Sequence, residues 1–141
     1  MAKEKKSIEV EKLVDFLSGI SRGIKNVIGE NAEYAIIHYG AVSCGKEIAE
    51  MEKPKSVEEF VAKNEGLLMH SEPKIFCSGD EVKIKFGKCH IAGKSDIVFY
   101  AVIYGILEGA LSYILGGVFK AAGDKCGNAE DGGCEFKFSR G

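Results

Sequence analysis

From Ile97 to Leu115 the chain runs for 19 residues with a single charge, Glu108, and stops at Gly116-Gly117. Few folds can absorb such a segment. Its length approaches the ~20 residues needed to span a bilayer. Three tyrosines, Ser112 and the mid-run Glu108 argue against a span, because polar and charged groups are expensive in hydrocarbon. The run predicts a buried helix of a soluble protein, over which the rest of the chain must close. Ser95 and Asp96 are its expected N-terminal caps.

Two faces of this helix carry information. Ala101, Gly105, Gly109, Ser112 and Gly116 form a stripe of small residues, where a neighbouring backbone or a flat ligand could come close. Tyr100, Tyr104 and Glu108 follow at steps of four on a second face. The stripe suggests an apolar pocket between this helix and a sheet, lined by Phe99, Ile103, Tyr104, Leu107, Glu108, Leu111 and Phe86. A carboxyl in such a pocket would be a polar anchor with a raised pKa. The plainer expectation is that Glu108 reaches solvent at the helix edge.

The remaining pattern supplies the cover. Ser7 to Ile28 reads as a helix with Ser7 as N-cap, leaving residues 1–6 as a frayed tail. Val10, Leu13, Leu17, Ile20, Ile24 and Val27 alternate steps of three and four along it. Such a seam packs on the domain's own core or on a second copy in a homodimer. A second helix runs from Glu30 or Asn31 to about Met51. It carries His38, expected to be structural, and Cys44, expected to be a small buried hydrophobe. Ser56 caps a third, ended by Gly66. Leu67–Cys77 and Val82–Phe86 then read as a hairpin across a four-residue SGDE connection, with Pro73 implying an edge strand. Val118–Lys125 and Cys134–Ser139 read as two final strands. The order is three helices, two strands, a helix and two strands. That predicts one α+β domain over residues 1–141, with an antiparallel sheet.

Composition narrows the partners. Nineteen basic against 21 acidic residues give a net charge of −2, so no broad basic surface awaits nucleic acid. The N-terminus MAKEKKSIEVEK shows no apolar signal region, so a cytoplasmic, reducing compartment is expected. Five cysteines there suggest metal ligands or buried thiols in preference to disulfides.

The run GILEGALSYILGG, a strand, then GDKC, seven residues and CEF resembles the 4-vinyl reductase-like, or hydrocarbon-binding, domain family. The resemblance covers about Cys89 to Phe138. It implies a fold shared in outline with the ligand-binding domain of nitric-oxide-signalling and Golgi-transport proteins, and a pocket for a small apolar or aromatic molecule. It also implies a zinc site. Aromatic-sensing members bind zinc through two cysteines spaced like Cys126 and Cys134, a cysteine near the start of the long helix, and a carboxylate three residues before the first of the pair. Here those last two positions hold Tyr100 and Gly123, so other residues must complete the set.

Cys126 and Cys134 are expected on adjacent strands, where their thiolates suit tetrahedral zinc. Cys89 and His90 are the nearest soft donors in sequence, and Asp124 is an oxygen alternative. The plain alternative is that these cysteines are buried, reduced and unligated. A zinc held by Cys89, His90, Cys126 and Cys134 would be structural, with no open position for water. No nucleophile elbow, P-loop or dinucleotide fingerprint is present. A binding or sensing module is therefore expected, passing any signal to a separate output protein. An enzyme or accessory subunit in tetrapyrrole or hydrocarbon metabolism is the alternative, and a dimeric scaffold a third.

Overall fold

The computed structural model describes residues 2–89, 97–122 and 134–141. Among the described residues five helices and four strands follow one another as α1 (Ala2–Ile28), α2 (Glu30–Glu52), α3 (Val57–Lys63), α4 (Glu65–Leu68), β1 (His70–Ser78), β2 (Glu81–Cys89), α5 (Ile97–Leu115), β3 (Phe119–Ala121) and β4 (Cys134–Arg140). The fold is α+β, with a four-stranded antiparallel sheet in the order β1-β2-β4-β3. Pro73 lies on edge strand β1, the place in a sheet where a missing N–H is tolerated.

Several local expectations need correcting. α1 already begins at Ala2, so Ser7 lies inside it. Ser56 does cap α3, its hydroxyl accepting from the Glu59 amide at 3.1 Å. Gly66, however, ends nothing: α3 stops at Asn64, whose side chain donates to the Phe60 carbonyl, and Gly66 falls within α4. The hairpin is tighter than expected, because Ser78 already pairs with Glu81. Gly79, at φ 59°, makes that short turn feasible, since a side chain there would be strained. β2 extends to include Cys89. The expected caps Ser95 and Asp96 lie outside the described residues.

The long apolar helix sits in the middle. Every residue of α5 from Ala101 to Leu111 is buried, as an all-round hydrophobic helix must be. One side meets the inner face of the sheet, where Tyr104 packs on Phe136 at 4.9 Å and on Phe138 at 5.6 Å between ring centroids. The other side meets α2. A Cβ at Gly105 would lie 2.7 Å from the His38 carbonyl oxygen. One at Gly109 would collide with the Val42 carbonyl, and one at Gly45 with the Ile106 carbonyl. At Gly105 and Gly109 the small stripe is therefore filled by the backbone of α2. Among the described residues no helix is long and apolar enough to cross a membrane.

None of the described side chains of α1 is fully buried. Leu17 is half-buried against the core, but Phe16 is 64% exposed and Val27 83%. The described seam residues therefore divide: Leu17 and Ile24 are half-buried, whereas Ile20 and Val27 are exposed. The side chains of Val10 and Leu13 lie outside the described set.

Candidate metal centre

Three strands bring three donors together. One ring nitrogen of His70, the Sγ of Cys89 and the Sγ of Cys134 all lie within 4.8 Å of one another. His70 opens β1, Cys89 ends β2 and Cys134 opens β4. Cα pairing sets His70 opposite Cys89 and Cys134 opposite Phe86, so the cluster bridges the two hairpins.

Strand alternation alone would not make this cluster. The inner face of β2 is Val82, Ile84 and Phe86, and Cys89 is three steps on, which by count is the outer face. On β1 the half-buried Pro73 and Ile75 point inward, and His70 is an odd number of steps away. Yet His70 is fully buried, and Cys89 packs on the core. Between the pairs Ser71–Lys88 and Pro73–Phe86 lies the step that changes the phase. Glu72 has φ 58°, left-handed for a residue that precedes a proline, where extended backbone is favoured. Gly87 lies beside it, and a Cβ there would come 3.1 Å from the Glu72 Cβ. Such a conformation costs about 1–3 kcal/mol.

The histidine is set for ligation. Its Nδ1 lies 2.7 Å from the Leu68 carbonyl oxygen, which can only accept. Nδ1 therefore carries a proton, and in the neutral form of the ring the lone pair lies on Nε2. Metal-bound histidines are typically oriented in this way, with the other nitrogen donating to a carbonyl or carboxylate. The ring is wedged against Phe86 at 5.0 Å and edge-on to Phe136 at 5.3 Å, which fixes its plane. Burial first, and then the charge of Cys89, push the Tyr100 phenol above its ordinary pKa. Tyr100, at the helix-start position, is therefore within electrostatic reach of the Cys89 sulfur.

Cys134 has a second fate besides ligation. It is disulfide-bonded in this structure. Metal ligands or buried thiols were expected in preference to disulfides, and Cys134 departs from that while Cys44, Cys77 and Cys89 are free thiols. A disulfide sulfur has no thiolate to give, so disulfide and metal are alternatives for Cys134. The donor set fits a thiophilic ion only in the reduced chain. Its chemistry, two thiolates and an imidazole, is a zinc-type set.

Of the four ligands expected from sequence, Cys89 and Cys134 do converge. His90 and Cys126 lie outside the described residues, as do Asp124 and Gly123. His70 was not anticipated. Cys44 is exposed, not buried, and stands apart from the cluster. Cys77 is also exposed, its thiol pushed up by partial burial and by Glu58.

Glu108 belongs to a separate polar knot. It is 6% exposed and does not reach solvent as expected. His38 Nε2 donates to its carboxylate at 2.6 Å, and the Ala121 amide donates to the other oxygen at 2.7 Å. Ser112 donates to the Glu108 carbonyl and accepts from the Phe119 amide. The knot ties α2, α5 and β3 together. The remaining expected pocket residues, Phe86, Phe99, Ile103, Tyr104, Leu107 and Leu111, are all buried in one continuous core.

An apolar groove of about 230 Å³ opens on the opposite side of α5, lined by residues that include Leu17, Ile20, Ile37, Cys44 and Ile106. No protein-family model matches the chain, and no curated protein matches its sequence.

Proposed function

We propose that this domain binds one metal ion, zinc first, through His70, Cys89 and Cys134 in the reduced chain. The observation that carries the reading is the convergence of three soft donors from three strands within 4.8 Å, around a histidine whose tautomer is fixed by Leu68. A tetrahedral site needs a fourth ligand, for which His90 and Cys126 are the proposed donors. The ion's role is structural: it clasps the β1–β2 hairpin to β4 and closes one end of the sheet over α5. Elemental analysis of protein purified under reducing conditions tests this. About one zinc per chain is expected, falling below about one per ten chains in Cys134→Ser, with loss of several kcal/mol of stability. Metal-free wild type with full stability in a chelator overturns it.

A second reading concerns the apolar side of α5. The groove beside Leu17, Ile20 and Ile106 is lined almost entirely by carbon and sulfur, which supports binding of a small apolar molecule, as the resemblance to hydrocarbon-binding domains implies. Its 230 Å³ falls below the ~300–1,000 Å³ of drug-sized sites, so the ligand would be small. The exposed apolar side chains of Phe16, Ile20 and Val27 on α1 support a homodimer. Native mass spectrometry decides between a retained compound, a dimer and neither. A sensing role or a part in tetrapyrrole or hydrocarbon metabolism would follow only from the identity of such a compound.

A further inference from the structure

We infer that Glu72 is the positioning residue of the metal centre: its left-handed backbone turns His70 and Cys89 from the outer to the inner face of the sheet. This rests on the metal reading above and explains how the site is made. His70 and Cys89 are Cα partners, and directly opposed residues on antiparallel strands share a face. Whatever turns one therefore turns both. Regular alternation through position 72 would return the pair to the outer face, away from Cys134 and from the rings of Phe86 and Phe136.

The two residues at the step fit this role. Glu72 is exposed and Gly87 is exposed, so neither is held by core packing. The Glu72 side chain lies across Gly87, where a Cβ would meet its carboxylate oxygen at 2.7 Å and its Cβ at 3.1 Å. A glycine at 87 leaves the room that the turned strand takes up. No other non-glycine residue of the described sheet strands has a positive φ. The one break in strand geometry thus falls between the two donors of the first hairpin and the regular ladder. Strain of this kind persists where the surroundings over-determine it, and it concentrates at functional sites.

The backbone, not the carboxylate, is the active feature, and variants can separate the two. Glycine and asparagine tolerate positive φ and remove the charge, whereas β-branched residues favour extended backbone. Zinc(II) is titrated into the reduced full-length chain against a chromophoric chelator, for wild type, Glu72→Gly, Glu72→Asn, Glu72→Val and His70→Ala. Cobalt(II) spectra report thiolate ligation in parallel, and far-UV circular dichroism reports the fold. Glu72→Gly and Glu72→Asn should bind within about threefold of wild type. Glu72→Val should bind about tenfold or more weakly, the scale of a lost supporting contact at a metal site. Glu72→Thr repeats the test with a polar side chain should the valine variant aggregate. Wild-type affinity in both β-branched variants overturns the inference. So does equal loss in Glu72→Gly and Glu72→Asn, which would make the carboxylate the feature that matters. If wild type takes up no zinc, or His70→Ala takes up as much, the metal reading itself falls and the positioning role with it.

Discussion

His70 and Glu108 show two ways in which this chain handles a buried polar side chain. His70 is fully buried, with one nitrogen committed to Leu68 and its ring clamped by two phenylalanines. Glu108 satisfies both carboxylate oxygens, one through His38 and one through the Ala121 amide. Removing the Glu108 carboxylate strands a backbone amide and an imidazole, and a buried group left without its partner costs about 1–3 kcal/mol. Glu108→Ala should therefore lower stability by about 2 kcal/mol or more in denaturant unfolding, and Glu108→Gln by clearly less, since it keeps an acceptor oxygen. For the metal centre the sign with pH follows from the donors. Ligands bind as thiolate and neutral imidazole, so protons compete with the ion and affinity must fall as pH falls. Free cysteine titrates near 8.5, so at neutral pH two thiols release protons on binding. Affinity measured by chelator competition should drop by more than about tenfold per pH unit below pH 7. A flat profile would exclude thiolate ligation. Cys44→Ser, outside the cluster, should leave zinc content unchanged.

Among the elements, α5 was the most legible. Its bounds, Ile97 to Leu115, follow from apolarity and the Gly-Gly stop, and Gly116 and Gly117 both take positive φ. Strand β4 was equally plain from its alternation. The metal centre was legible only in part. The expected hairpin already implies the register that sets His70 opposite Cys89, since Cys77 pairs with Val82 in either turn. What alternation hides is the face. A residue counted as outward turns inward because one glutamate takes a conformation that its residue type gives no reason to expect. The glycine stripe was visible, but its partner was not: a composition signal says that something comes close, not whether that is a ligand or α2. The α2–α5 crossing yields a test. Alanine gains about 1 kcal/mol over glycine in a free helix. At Gly109 the new methyl meets the Val42 carbonyl, which is backbone and cannot rotate away. The clash should outweigh the propensity, and Gly109→Ala should destabilise by about 1–3 kcal/mol. A stabilised variant would mean the two helices can separate at no cost. On α1, Phe16→Glu should leave the monomer fold intact while halving the mass seen by light scattering, if the exposed face of Phe16, Ile20 and Val27 joins two copies.

At the scale of the whole molecule, the proposed ion and the disulfide would compete for one sulfur, that of Cys134. Reduced protein with zinc, reduced protein with chelator and oxidised protein are three distinct species. Loss of a structural ion worth several kcal/mol should lower the melting temperature by about 10 °C for a domain of this size. The chelated, reduced species should therefore melt lowest. If oxidised protein still binds zinc as tightly as reduced protein, Cys134 is not a ligand.

The sheet order has a consequence in time. β1 and β2 are neighbours in the chain and can zip as soon as they are made, but β2 meets β4 only after α5 and β3 have been passed. That central seam is the pairing with the largest loop to close, and non-local pairings of this kind govern how fast a domain folds. The cluster of His70, Cys89 and Cys134 lies across that seam, with two donors delivered early and one late. An ion captured by the first hairpin would wait for Cys134 to arrive, so metal supplied during refolding should change the rate at which the sheet completes as well as its final stability.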